Sequence, residues 1–137
     1  MSASQSNGKR PVRSGVAAAE FAVCLPVIVL IVLATIEACT MVFLKQSLTV
    51  AAYEGARVAI SLNATNSQAQ QSAQQILTER RVQGGNVALS PGNLASINPG
   101  EYVDVTVSAP ASLNSVVPIT FYRSRNLSAT ASMMKEF

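Results

Sequence analysis

The run VAAAEFAVCLPVIVLIVLATIEACTMVFL, residues 16–44, decides how the rest of the chain must be read. Between Phe21 and Ile36 it carries no charge, and Glu37 alone interrupts it before Lys45. Crossing about 30 Å of hydrocarbon takes roughly 20 predominantly apolar residues in a helix. The run exceeds that, provided the helix tolerates Glu20 and Glu37. A cleaved secretory signal is the competing reading, but its apolar core spans only about 7–15 residues and ends at a small-x-small site. This run is longer, and no convincing site of that kind follows it. A retained single membrane-spanning helix is therefore expected over residues 16–44.

Charge sets the orientation. Lys9, Arg10 and Arg13 precede the run, and no acidic residue occurs among residues 1–15. By the positive-inside rule this basic leader stays cytoplasmic and the C-terminal part is translocated, in a single-pass protein. These three residues also account for the whole formal charge of +3, because the seven other basic residues match the seven acidic ones. The excess belongs to the leader, so no nucleic-acid partner is read from it. Membrane lipid is the partner the composition implies.

Little in the chain suggests catalysis. There is no histidine, which excludes Ser-His-Asp and Cys-His mechanisms. Both cysteines, Cys24 and Cys39, lie in the apolar run. Fifteen residues apart on one helix they stand about 22 Å from each other, too far for a disulfide, and no zinc-binding set can be assembled from them. Small apolar packing residues are the plain reading of both. Gly84-Gly85 lacks the lysine and the strand–loop–helix setting of a phosphate loop. No enzyme, cofactor, metal or small-molecule substrate is expected.

Beyond the run, the pattern is that of a small α+β protein. Residues 1–14 read as a disordered tail. From Gly15 the helical signal continues to about Asn63. Over 45–63 it becomes amphipathic, with Leu48, Ala51, Ala52, Ala56, Val58, Ala59 and Leu62 interspersed with Gln46, Thr49, Glu54 and Arg57. Gly55 weakens its middle by about 1 kcal/mol relative to alanine. Thr65, Asn66 and Ser67 offer caps for a second, shorter helix carrying Ala69, Ala73, Ile76 and Leu77 at helical spacing, which Gly84-Gly85 would stop. Three strands are expected at 86–90, 101–108 and 126–134, forming a small antiparallel sheet. The second alternates Val103, Val105 and Val107 against Tyr102, Asp104 and Thr106, and the third alternates Leu127, Ala129, Ala131 and Met133 against Ser128, Thr130 and Ser132. The connection 113–125 is unusually apolar, with Val116, Val117, Ile119, Phe121 and Tyr122, and suggests a hairpin arm or a docking patch. Residues 64–137 thus form an extracytoplasmic α+β domain with a thin core, walled on one side by the upper half of the long helix.

Glu20 is the anomaly in this scheme. A carboxylate in a membrane helix costs on the order of 2.5–3.5 kcal/mol at mid-bilayer and less near the interface. At a helix N-terminus it would gain about 0.3–1 kcal/mol from the macrodipole. A more specific account follows if the chain is cut after Gly15. Val16 would then carry a free amine four residues from Glu20, on the same helical face, and each charge would relieve the other's desolvation. The same cut would remove the basic anchor and let the span be drawn out of the bilayer.

The pattern G-VAAA-EF resembles the processing motif of Flp-type prepilins and pseudopilins. Residues 13 to about 60 resemble the TadE-like family of the Tad (tight adherence) system more fully, through Glu20-Phe21, Leu25-Pro26, Ile36-Glu37 and the downstream Glu54-Gly55-Ala56-Arg57. The alanine run before Glu20-Phe21 departs from relatives with a bulkier apolar residue there and a denser arginine cluster. The resemblance implies cleavage between Gly15 and Val16 by a prepilin peptidase and an assembly role for Glu20 and Phe21. It implies a place in the bacterial inner membrane, with other Tad pilins or pseudopilins and inner-membrane platform proteins as partners, in pilus assembly, secretion and cell adhesion. Pro26 removes one backbone hydrogen bond and marks a helix kink. Glu37 reads as a membrane-embedded acid at headgroup level, with a buried partner as the alternative. Glu54 and Arg57 read as a solvated local ion pair. The expectation is a minor pilin or pseudopilin. The alternative is an unprocessed, signal-anchored protein with a small extracytoplasmic binding domain.

Overall fold

A computed structural model describes residues 13–116 and 124–136. Lys9 and Arg10 of the leader, and Val117, Ile119, Phe121 and Tyr122 of the apolar connection, lie outside the described residues. The chain divides into two units, with the division between Ala34 and Thr35. One helix, α1 (Arg13–Ala59), contributes to both and is helical through Pro26.

In the first unit, α1 is apolar on all sides. Phe21 is 61% exposed and Val23 76%, and Val27, Ile28, Leu30, Ile31 and Val32 are exposed as well. The helix is long and apolar enough to cross a membrane.

The second unit is α+β. Its α1 segment ends four residues before the expected Asn63, for a local reason. The Ile60 N–H still reaches the Ala56 carbonyl at 3.1 Å, but the Ser61 N–H turns to Val58 at 3.1 Å and the Ser61 hydroxyl donates to the same carbonyl at 2.7 Å. Asn63 then takes a left-handed φ of 59°, which asparagine tolerates better than most residues. Helix α2 (Asn66–Glu79) starts with a capping box. The Gln68 N–H donates to Thr65 Oγ1 at 3.3 Å, and the Thr65 N–H donates to Gln68 Oε1 at 3.0 Å. Asn66 ties this start to a distant turn, accepting from the Leu94 N–H at 2.9 Å and donating to the Gly92 carbonyl.

The stop of α2 corrects the sequence expectation. The helix ends before Gly84-Gly85, at Glu79 with Arg80 as its C-cap, and the next residue, Arg81, has a φ of 56°. The Val82 N–H bonds to Leu77 O at 2.8 Å and the Arg81 N–H to Thr78 O at 3.0 Å, the paired bonds of a Schellman ending. These bonds satisfy the last carbonyls and hold a non-glycine residue in a conformation glycine usually takes. The two glycines serve packing instead. A Cβ on Gly85 would stand 2.6 Å from Leu77 Cδ1, and one on Gly84 would meet Leu113 Cδ1 at 2.9 Å.

The sheet has the order β1 (Asn86–Ser90), β2 (Tyr102–Pro110), β3 (Asn126–Met134), antiparallel throughout. In β2, Val103, Val105, Val107 and Ala109 are buried while their neighbours are partly or fully exposed. The register sets Val105 opposite Leu89 on one side and Ala131 on the other, and Val107 opposite Val87 and Ala129. Thr106 and Thr130 share a hydrogen bond of 2.8 Å on the other face. β2 runs two residues past the expected Ser108, because Ala109 and Pro110 still find partners in Leu127 and Asn126. A single turn of helix, α3 (Ala111–Asn114), follows β2 directly.

The core joins this sheet to α2 and to one stripe of α1. Leu44, Leu48, Ala51, Ala52, Ala56 and Ala59 from α1 are buried with Ala69, Ala73 and Leu77 from α2 and with the β2 valines. Alanine dominates the helical side, so the backbones approach closely and the valines supply the volume.

Candidate processing and assembly site

Gly15, Val16, Glu20 and Phe21 lie on the first turns of α1, and all are exposed. Nothing lies within 4 Å of where a Gly15 Cβ would be, so crowding among the described residues does not require glycine there. Val16 and Glu20 are one helical turn apart, a spacing that puts their Cβ atoms about 5–6 Å from each other. Ala19, Glu20, Val23 and Cys24 line a shallow open hollow on the helix surface. Cys24 and Cys39 are free thiols, both exposed.

The second group of expected site residues lies in the other unit. Glu37 is 2% exposed, in keeping with the alternative of a buried partner. The Ser115 hydroxyl donates to Glu37 Oε1 at 2.7 Å across 78 residues of sequence. Met41 and Leu44, one and two turns further along, are buried too. The stretch 37–44, which hydropathy assigns to the bilayer, therefore gives one face to the distal core. Position 37 belongs to the stripe that continues through Leu48, Ala52 and Ala59. A carboxylate on that stripe needs a donor, and Ser115 provides one.

Glu54, Gly55, Ala56 and Arg57 separate into two functions. The Arg57 guanidinium stands 3.6 Å from Glu54 Oε1, with the side chains 67% and 31% exposed, so the expected solvated pair is present. Gly55 and Ala56 face inward. A Cβ on Gly55 would lie 3.1 Å from Ala73 Cβ, 3.1 Å from Val105 Cγ1 and 3.3 Å from the Ala69 carbonyl. At Gly55 α1, α2 and β2 approach closely, and its cost in helix propensity is offset by that contact.

Ser115, Asn114 and Lys45 make long-range contacts that the sequence pattern does not show. Asn114 accepts from the Gln83 N–H at 2.8 Å and donates to the Gln83 carbonyl at 2.9 Å, as a strand neighbour would. Lys45 donates to the Ser128 carbonyl on the edge strand β3. Lys45 belongs to α1, so the bond ties the helix to the strand. Hydropathy marks Lys45 only as the end of the apolar run. For Ser115 a signal did exist: Glu37 falls in phase with Met41, Leu44 and Leu48, so a buried partner for it was to be sought downstream.

The features on α1 from Gly15 to Arg57 are those that a family model recognises, since the model for TadE-like protein matches residues 15–57. Over these residues the chain is similar to the TadE-like family. The match spans the exposed apolar helix, Glu37 and the Glu54–Arg57 turn, and stops before α2. No curated protein and no solved structure matches the chain. The TadE-like segment thus contains both the first unit's free helix and the stripe around which the second unit is built.

Proposed function

We propose that the protein is a minor pilin or pseudopilin of a Tad (Flp) pilus assembly or secretion system, acting as a structural component and not as an enzyme. The observation that carries this reading is the TadE-like match over residues 15–57. The chemistry of its first turns supports it. On this reading a prepilin peptidase of the inner membrane cuts between Gly15 and Val16. The new amine of Val16 and the carboxylate of Glu20 then form a charge pair, with Glu20 meeting the amine of a neighbouring pilin and so setting register. Phe21 and the alanines before Glu20 pack between helices, where small residues allow close approach. Residues 16–36 span the bilayer, a length of about 30 Å. The α+β unit lies outside the cytoplasmic membrane and meets the platform or other pilins, in adhesion or secretion.

The test is the mass of the membrane-bound protein in cells with an active prepilin peptidase. A species beginning at Val16, lost in Gly15→Leu, is the expected result. An intact or methionine-trimmed N-terminus would overturn the processing step and leave a signal-anchored protein with a small binding domain. Glu20→Ala should be cut normally yet fail in assembly. Normal pilus output from that variant would rule out the register role.

A further inference from the structure

The two edges of the sheet differ. At β3, Lys45 of α1 holds the Ser128 carbonyl. At the other edge, β1 pairs with β2 on one side and has no strand partner on its outer side among the described residues. Its five residues include no charge and no proline, the devices that guard an open edge. Val87 and Leu89, opposite Val107 and Val105, are only partly buried, whereas the β2 valines are fully covered. Helix α2 supplies a second wall beside this edge. Gln70, Gln71 and Gln74 line an open hollow of about 410 Å³ with Gly85, Asn86 and Val87. The wall is fixed at both ends, by the bonds of Asn66 to Gly92 and Leu94 and by the contact of Gly85 with Leu77. Two other glutamines of α2 are engaged, Gln68 in the capping box and Gln75 with Glu79 at 2.9 Å. The carboxamides of Gln70, Gln71 and Gln74 make no hydrogen bond among the described residues.

We propose that the groove between α2 and β1 takes an extended, uncharged segment of a partner protein as a fourth strand. In an antiparallel pair, alternate residues aim their N–H and C=O groups away from the partner, so β1 offers main-chain donors and acceptors on its outer side. A peptide backbone is their complement. Alternate side chains of the segment enter the hollow, cover Val87 and meet carboxamides that both donate and accept. Charge decides the segment's composition. No charged residue occurs from Gln83 to Gly100, and none lines the hollow, so a charged side chain entering it would lose water without gaining a counter-charge. A strand edge repeats its donors and acceptors at the spacing of another strand, and no aromatic ring among the lining residues offers a sugar a stacking face. Both observations favour a polypeptide over a saccharide. The groove lies wholly in the second unit, so the inference stands apart from the spanning and processing readings.

Peptide selection tests it on the full chain in detergent micelles. Random decapeptides displayed on phage are selected on the protein and counter-selected on a Gln70→Arg, Gln74→Arg variant. Both positions are exposed, so the variant should keep its unfolding midpoint. Enriched peptides are synthesised with a fluorophore and titrated by polarisation. They should be uncharged and alternate in polarity, and should slow hydrogen exchange at β1 amides but not at β3 amides. N-methylation of alternate peptide amides should weaken binding about tenfold or more, through the loss of two or more main-chain hydrogen bonds. This measurement does not depend on the arginine variant. An N-methylated peptide that binds equally well would overturn strand addition. Protection at β3, or at neither strand, would overturn the location. Failure to enrich any peptide would overturn the proposal, and maltoheptaose that slowed β1 exchange in that case would give the groove to a saccharide.

Discussion

Along the first half of α1, from Val16 to Ala34, large apolar side chains point outward all round the helix. Along the second, from Glu37 to Ala59, one narrow stripe is fully buried and is built mainly of small residues. Both halves are continuous helix, and both are apolar by composition. They differ in where the bulk is placed. Valine, isoleucine and leucine on every side suit a solvent that is itself apolar. Alanine and glycine on one side suit a protein partner whose backbone must come near. Hydropathy alone merges the halves, whereas residue size and phase separate them.

One methylene-for-methylene comparison can break this distinction. Leu48 is fully buried and Leu30 is 64% exposed. Leu48→Ala should destabilise the second unit by about 2–5 kcal/mol, the range for leucine deletions in cores. Leu30→Ala should leave that unit's stability within about 0.5 kcal/mol. Urea unfolding of the full chain in detergent, followed by protection of the β2 amides from hydrogen exchange, measures both. Equal losses would mean that the halves do not differ as described.

Glu37 and Glu20, two of the helix's three glutamates, sharpen the comparison next. Glu37 lies on the buried stripe and accepts from Ser115, whereas Glu20 is exposed. Glu37→Ala should cost about 1–3 kcal/mol, since the Ser115 hydroxyl loses its acceptor. Glu37→Gln keeps an acceptor oxygen and should cost less. Glu20→Ala should not move the unfolding midpoint of the second unit. A stable Glu37→Ala variant would show that the Ser115 contact adds nothing to the fold.

How much of this was legible beforehand depended on the range of the interaction. The period of two in YVDVTVS and in NLSATASMM placed both long strands, because sheet faces are written in adjacent residues. β3 falls at the expected residues, and β2 extends further only where pairing with Leu127 and Asn126 carries it on. The start of α2 was legible from Thr65, although the reciprocal role of Gln68 was not drawn out. The end of α2 was misread, because Arg81 takes the left-handed conformation only with two backbone bonds to hold it. The phase of Glu37 with Met41, Leu44 and Leu48 signals its burial, but no local pattern names its partner Ser115, 78 residues away. Gly55 was legible as a weakness of the helix but not as a contact, since its neighbours come from α2 and β2.

Gly55 therefore offers a finer test. Alanine there gains about 1 kcal/mol in helix propensity. Its Cβ, however, would press on Ala73, Val105 and the Ala69 carbonyl at 3.1–3.3 Å, and crowding of a packed core costs about 1–3 kcal/mol. Gly55→Ala should lower stability by about 0–2 kcal/mol, and Gly55→Val by more. A stabilised Gly55→Ala variant would mean that the close approach of α1 to α2 and β2 is looser than the backbone positions imply.

The smallest effect is expected two residues away, at Arg57. Its guanidinium is 3.6 Å from Glu54 and its side chain is two-thirds exposed, so water screens the pair and holding two long side chains offsets much of the attraction. Arg57→Ala should cost about 0–1 kcal/mol, shrinking further at high salt because exposed charges are screened. That near-silence gives the variant its use. Arg57 belongs to the same TadE-like segment as Gly55, yet it points outward where Gly55 points inward. If Arg57→Ala leaves the unfolding curve unchanged but impairs pilus output, the arginine serves a partner and the glycine serves the fold. If both output and stability are untouched, the Glu54–Arg57 pair is surface decoration, and the Gly55-Ala56 contact is the part of the turn the protein needs.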